Sequence, residues 1–263
     1  MAEVEMNFWR LKQVLLTDLK RAVTSWGFMV GILGVAGMML MAIGGMETQN
    51  ASVWYLMDLS IQGSGTTTLI FCILPVFAFG ISYASEWMQK AERFWMVRTG
   101  VNLYVFSKVA ISFLSGFLVV FIGIALFAIL LLPFFPIHTF MYSDSPYELL
   151  ADQNMEIIGM LLYMIHHGIT GGLTSVCSMW FSSMIPDPFA AAAAPLVLYF
   201  FLLRITGRLP LPAALDPINW NSGMYYADTA GETIIIKIGI SLALCVIMGV
   251  LAGINVRRRL LHE

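Results

Sequence analysis

Charged residues are scarce in this chain, and several of them lie in one short segment between two apolar runs. Only 11% of the 263 residues are charged. The segment 86–98 nevertheless carries Glu86, Lys90, Glu92, Arg93 and Arg98. Mixed acids and bases between two apolar runs are typical of a segment at the membrane surface. Taken alone, they favour a solvated loop helix with no function beyond anchoring.

A second feature with chemical potential is the pair His166–His167 inside a long apolar run. Ionisable side chains within a membrane span are candidates for function. Adjacent residues on a helix point about 100° apart, so the two imidazoles cannot hold one metal ion between them. We expect the pair to line a polar cavity or to bond across helices; catalysis or proton relay is the disfavoured alternative. No metal site is predicted.

The composition indicates an integral membrane protein. Hydrophobic residues make up 59% of the chain and the mean hydropathy is +0.82, whereas soluble domains average about 25% charged residues. The three cysteines, Cys72, Cys177 and Cys245, all fall in apolar runs and are predicted to be packing residues. The run Gln62–Gly63–Ser64–Gly65 lacks the first glycine of the Gly-x-Ser-Gly motif of intramembrane serine proteases, so we expect no enzymatic activity.

Six apolar runs approach or exceed the roughly 20 residues that a membrane-spanning helix needs. They lie at 26–46, 66–85, 105–136, 155–184, 189–203 and 233–256. We predict an all-α polytopic membrane protein with a six-span domain over 26–263. The connections at 47–65 and 137–154 are predicted to be outer loops.

The basic residues predict the orientation. Eleven of the fourteen Lys and Arg residues lie in the N-terminal segment, in the link after the second span and in the C-terminal tail. Because cytoplasmic loops are enriched in Lys and Arg, both termini and that link are expected to be cytoplasmic, in a cell membrane of bacterial type. The Pro- and Gly-rich segment 204–232 is expected to be a re-entrant or interfacial external segment.

Two amphipathic helices are predicted on the cytoplasmic side. Residues 1–25 form the first, whose apolar stripe consists of Phe8, Leu11, Leu15, Leu19 and Ala22. Such a basic amphipathic helix lies along the membrane interface. The second covers about 86–98 and ends near Gly100. Its tryptophans are expected at headgroup depth.

This order of elements resembles the permease subunit of ATP-binding-cassette (ABC) exporters of the type-2 class. Members carry an acid at the end of the second span, a short coupling helix, and a small-residue turn before a Lys that opens the third span. Glu86, Thr99–Gly100 and Lys108 match these features in order. The runs "GGLTSVCSMWFSSMIPDPFAAAAAPLVLYFFL" and "LDPINW" are similar to later segments of the family. Members often show Gly-Thr within the coupling helix, where this chain has Gln89–Lys90–Ala91.

The resemblance implies transport driven by a separate ABC ATPase subunit that docks on the coupling helix. Its expected contact residues there are Glu86, Lys90, Glu92, Arg93 and Arg98. The chain has no phosphate-binding loop, so ATP and Mg are expected on that partner and no cofactor on this chain. A second permease copy, identical or related, and membrane lipids are the other expected partners; nucleic acid is not. The cargo is expected to be hydrophobic or amphipathic: a peptide, a lipid-linked compound or a drug. The alternative is a six-span channel or a non-transporting immunity or sensor protein.

Overall fold

The computed structural model describes residues 2–44, 51–62, 66–139, 146–150, 153, 155–207, 209 and 212–262. Over these residues the fold is helical, without a β-strand. The helices are α1 (Ala2–Val23), α2 (Trp26–Ile43), α3 (Val53–Gln62), α4 (Thr67–Cys72), α5 (Val76–Phe79), α6 (Ser82–Met88), α7 (Glu92–Thr99), α8 (Val101–Leu131), α9 (Glu156–Met184), α10 (Pro188–Thr206), α11 (Pro217–Ser222) and α12 (Ala230–His262). Short 3-10 turns cover Pro146–Leu150 and Ala213–Leu215.

Among the residues that the structure describes, five helices are long and apolar enough to cross a membrane: α2, α8, α9, α10 and α12. A sixth candidate exists only if α3 and the α4–α5 stretch together count as one span. The two parts are bent by 81° relative to one another. The long apolar helices are therefore compatible with a transmembrane protein.

The structure divides the run 66–85, predicted as the second span, into α4, α5 and α6. Pro75 stands at the first break. A proline has no backbone N–H to donate and its ring collides with the preceding turn of a helix. Pro195, by contrast, lies inside the continuous helix α10.

The outer loop predicted over 47–65 contains a buried helix instead. α3 is too short to span a membrane, and its Trp54 and Met57 side chains are fully buried in the main apolar core. The backbone N–H of Val53 donates to the Pro136 carbonyl at 2.9 Å, which ties the start of α3 to the chain following α8. Ser64 lies outside the described residues.

The core of the bundle is the pair α8 and α9, around which the other helices are arranged. α1 and α2 pack against α8, α10 packs against α9, and α12 packs against both central helices. The two central helices approach closely at Gly116, where an added Cβ would lie 2.5 Å from the Gly171 carbonyl oxygen. Gly116 therefore serves close packing of α8 against α9 within the chain.

The N-terminal amphipathic helix is present as α1. The buried part of its predicted stripe, Leu15, Leu19 and Ala22, packs with Phe79 of α5 and Ile111 of α8. The apolar face is thus directed at the protein over its last two turns. The helices α1, α6 and α7 and the basic end of α12 gather at one end of the bundle.

Candidate functional site

The centre of the candidate site is Glu86, which sits near the end of α6 and is only 3% exposed. Its Oε1 atom lies 2.6 Å from Lys108 Nζ and 2.7 Å from a guanidinium nitrogen of Arg21. Its Oε2 atom accepts a hydrogen bond from the Tyr104 hydroxyl at 2.6 Å. Both carboxylate oxygens are therefore paired inside the protein, so Glu86 is not the exposed contact residue that the sequence predicted.

Asp18 of α1 completes the same cluster. This carboxylate is 6% exposed and accepts a hydrogen bond from the Ser107 hydroxyl at 2.7 Å. It also lies 3.5 Å from Lys108 Nζ and 3.3 Å from the Arg21 guanidinium. Two acids and two bases thus balance one another across α1, α6 and α8. We call Asp18, Arg21, Glu86 and Lys108 the basal ion cluster.

Burial and pairing act against each other on the pKa of Glu86. Burial opposes ionisation, but the charge and hydrogen bond of Lys108, the Tyr104 hydroxyl and the Arg21 charge together outweigh it and lower the pKa below its usual value. The carboxyl group is therefore ionised at neutral pH. Lys108, 1% exposed, also lies 4.6 Å from the centre of the Phe79 ring.

The amphipathic helix predicted over 86–98 is two helices in the structure. α6 ends at Met88 and α7 begins at Glu92. Between them Lys90 takes a φ of 55°, a left-handed conformation that interrupts a helix. The Ala91 N–H returns to the Glu86 carbonyl at 2.9 Å, which closes this turn. Of the five predicted contact residues, Glu86 and Glu92 are buried, whereas Lys90, Arg93 and Arg98 are exposed.

The residues that α7 and the turn before it present to solvent are both basic and apolar. Phe94 is 75% exposed and Val97 is 87% exposed. Lys90, Arg93 and Arg98 are exposed beside them. Glu92, also predicted as a contact residue, is buried at 3% exposure. We call Lys90, Arg93, Phe94, Val97 and Arg98 the α7 surface.

The two tryptophans of this segment are half-buried against other helices rather than free for a membrane interface. Trp95 lies under the Arg21 guanidinium of α1, 5.5 Å from the ring centre. Trp87 lies under Arg259 of α12 at 5.0 Å. These contacts connect α6 and α7 to both terminal helices, in addition to the basal ion cluster.

Asp18 was not among the residues predicted from the sequence, although its position on the apolar face of α1 indicated a buried role. Leu11, Leu15, Asp18 and Ala22 follow the spacing of one helix face. An acid on the apolar stripe of an amphipathic helix must find a partner when that stripe packs. The partner comes from α8, which no local pattern around Asp18 identifies.

His166 and His167 are fully buried in α9. The Nδ1 atom of His166 lies 2.9 Å from the Tyr147 hydroxyl, in agreement with bonding between separate elements. The His167 ring stacks on Phe71 with 5.0 Å between ring centres. Neither ring nitrogen of His167 has a hydrogen-bond partner among the described residues.

A lysine near the histidines points inward. Lys237, in an apolar stretch of α12, is fully buried. Its Nζ atom donates to the Trp220 carbonyl at 3.0 Å and lies 5.1 Å from that indole ring. α11 folds back against the bundle and supplies this acceptor. An ionisable residue in an apolar run was itself a signal of such a role.

Asp58 adds an acid on the same side of the bundle. It accepts hydrogen bonds from the Tyr163 hydroxyl at 3.2 Å and from the Gln62 amide at 2.7 Å. The Gln62 amide also donates to the Ser222 carbonyl at 2.9 Å. These bonds hold α11 against α3 and α9 and so close this end of the bundle.

No family profile matches the sequence, and the comparisons with curated proteins and solved structures found no match either.

Proposed function

We propose that this chain is the membrane-spanning permease subunit of an ATP-driven exporter of the type-2 ABC class. It spans the membrane six times if the bent pair of α3 and α4–α5 is counted as one crossing. The basal ion cluster and the α7 surface face the cytoplasm, because the segments that carry most of the Lys and Arg residues gather at that end. A separate ATPase subunit supplies the energy, and a second permease copy completes the pathway.

The observation that carries this proposal is the connection between the α7 surface and the basal ion cluster. α7 is joined to α6 by a three-residue turn and to α8 by Gly100 alone. Glu86 at the end of α6 is bonded to Lys108 in α8 and Arg21 in α1. A force applied to α7 therefore reaches α6, α8 and α1. Of these, α8 is itself a long apolar helix, and α1 leads into the apolar helix α2. That is the mechanical requirement for a coupling helix.

The chemistry of the α7 surface indicates the kind of surface it meets. Two exposed apolar side chains, Phe94 and Val97, lie among three basic ones. A complementary partner offers an apolar pocket with an acidic rim. Docking of an ATPase subunit in such a pocket accounts for apolar side chains that a purely solvated loop would not expose.

Affinity purification of the tagged chain followed by mass spectrometry tests the partnership. We expect an ABC ATPase to copurify with the chain in a mild detergent. A repeat with Arg93→Glu should reduce its recovery at least tenfold, because like charges placed against an acidic rim cost several kcal/mol. Phe94→Ala should reduce it by a similar factor if Phe94 fills the central pocket.

Arg258→Glu is the matched control for these variants. Arg258 is an exposed arginine in the basic tail of α12, outside the α7 surface. Recovery of the ATPase should be unaffected by this change. If Arg93→Glu and Phe94→Ala retain the ATPase as well as Arg258→Glu does, α7 is not the docking helix.

A channel is the rival function and differs in a direct measurement. Purified chain in a planar bilayer should give no ion conductance in the absence of an ATPase. Conductance from the chain alone would replace the permease proposal by the channel.

A further inference from the structure

A cavity of about 240 Å³ lies among α9, α10 and α12. α10 and α12 both pack on α9 but make few contacts with each other, so a cleft remains between them. α11 and the turn before it close one end of this cleft. Leu202 and Leu244, on the two rims, are both 38% exposed on the outside of the bundle. In the proposed membrane orientation the cleft therefore opens sideways toward lipid.

The wall of this cavity is apolar along most of its length. Its main side chains are Leu173, Leu198, Leu202, Ile240, Leu244 and Met248. No charged residue is among the described residues that line it. A charged ligand would lose its hydration here without gaining a counter-ion. The lining therefore selects an uncharged, mostly apolar molecule.

Two polar side chains meet at the closed end of the cavity, Asn221 and Tyr199. Asn221 is 6% exposed, and its Nδ2 atom makes no close hydrogen bond among the described residues, although the Tyr199 hydroxyl lies beside it. The Thr174 hydroxyl donates to the Phe71 carbonyl at 2.6 Å, and the Thr170 hydroxyl lies 3.3 Å from the Trp220 carbonyl. Because an amide nitrogen carries two N–H donors and an unpaired buried donor is costly, a ligand oxygen in the cavity can accept a hydrogen bond that Tyr199 does not take.

We propose that this cavity binds a neutral, mostly apolar molecule whose single hydrogen-bond acceptor, such as a carbonyl or ether oxygen, is directed at Asn221. The volume lies just below the range of about 300–1,000 Å³ typical of drug-sized ligands. One alkyl chain or a small ring system fits, and a bulky peptide does not. That the bound molecule is a transported cargo rests on the proposed function. That the cavity binds such a molecule does not.

The test uses three alkyl probes of one length, each carrying a diazirine for photo-crosslinking: an N,N-dimethyl amide, which accepts but does not donate a hydrogen bond, an alkane and a carboxylate. The probes are added to the purified chain in detergent, and labelled peptides are identified by mass spectrometry. We expect the amide to label the α10 and α12 walls of the cavity, and an unreactive amide to compete. The carboxylate should bind at least tenfold more weakly, because it would be buried without a cation.

Two variants separate the cavity from the lipid-facing surface of the same helix. Leu198→Trp fills the cavity and should reduce amide labelling at least fivefold. Val197→Trp adds the same side chain at the neighbouring position, which is 65% exposed and does not line the cavity. That control should label like the unaltered chain. Equal labelling of both variants, or labelling spread over all lipid-facing residues, would overturn the proposal.

Asn221→Leu tests the polar anchor. It should weaken binding of the amide roughly tenfold, since one hydrogen bond is lost, and leave binding of the alkane unchanged. If Asn221→Leu changes the binding of the amide and of the alkane equally, Asn221 does not bind the acceptor and the proposal is wrong. Because no ATPase takes part, failure here leaves the permease proposal standing, and failure to find an ATPase leaves the cavity standing.

Discussion

The strongest prediction concerns removal of the Glu86 charge by Glu86→Gln. In the folded chain this carboxylate neutralises Lys108 at 2.6 Å. Its removal leaves the basal ion cluster with two positive charges against Asp18 alone. Loss of one partner of a buried ion pair costs about 3–5 kcal/mol. With each kcal/mol worth about 2–4 °C for a chain of 150–250 residues, the apparent melting temperature should fall by roughly 6–20 °C.

The buried thiols provide the assay. Cys72, Cys177 and Cys245 are free and buried, so a thiol-reactive fluorescent dye reports their exposure as the detergent-solubilised protein is heated. Glu232→Gln is the control, because Glu232 is an exposed carboxylate at the start of α12. Surface substitutions of this kind usually change stability by less than about 0.5 kcal/mol.

A double variant tests whether charge balance is the cause of the loss. Glu86→Gln combined with Lys108→Met removes one charge of each sign and leaves Asp18 paired with Arg21. The double variant should be more stable than Glu86→Gln alone, since no unpaired buried charge remains. If Glu86→Gln melts like Glu232→Gln, or if Lys108→Met brings no recovery, the cluster does not hold the three helices together.

Three further predictions follow from the same structure. The pKa of Glu86 is lower in the folded chain than its ordinary value of 4.5. The stability that the ionised carboxylate contributes is therefore present above pH 4.5 and is lost as the pH falls through the folded-state pKa. The difference in melting temperature between the unaltered chain and Glu86→Gln should narrow only below about pH 4.5. His166→Phe should cost at least about 1 kcal/mol because it removes the bond to the Tyr147 hydroxyl. His167→Phe removes no hydrogen bond among the described residues and should destabilise the chain less than His166→Phe; an equal loss for both would assign His167 a polar role. Gly116→Ala should destabilise by about 1–3 kcal/mol because the new methyl group meets a backbone carbonyl of α9, while Gly253→Ala, with open space around it, should be neutral or stabilising in the same melting assay.

The helical class and the long apolar helices were predictable from the sequence. A run of about 20 apolar residues has one stable arrangement in a bilayer, the helix, because only there are all backbone groups bonded within the segment. The N-terminal amphipathic helix was predictable for a similar local reason. The break at Pro75 has a local cause as well, but the extent of the disruption, three short helices in place of one, depended on the surrounding packing.

The arrangement of the candidate site was not predictable in the same way. The wheel through 86–98 assumed one continuous helix, but the left-handed residue Lys90 separates α6 from α7. Glu86 is buried because Arg21 and Lys108 from other helices pair with it. The inward direction of Lys237 depends on the fold-back of α11, which brings the Trp220 carbonyl to it. Each of these outcomes is a contact between segments far apart in the chain.

The sequence by itself determined which segments are helical and apolar, because backbone bonding within a helix and the hydrophobicity of a run are properties of neighbouring residues. Only the tertiary structure decided which charges are buried and which are exposed. A carboxylate such as Glu86 can leave water only when bases from other helices arrive within hydrogen-bonding distance. Arg21 lies 65 residues before it and Lys108 lies 22 residues after it, and their approach depends on how α1 and α8 pack.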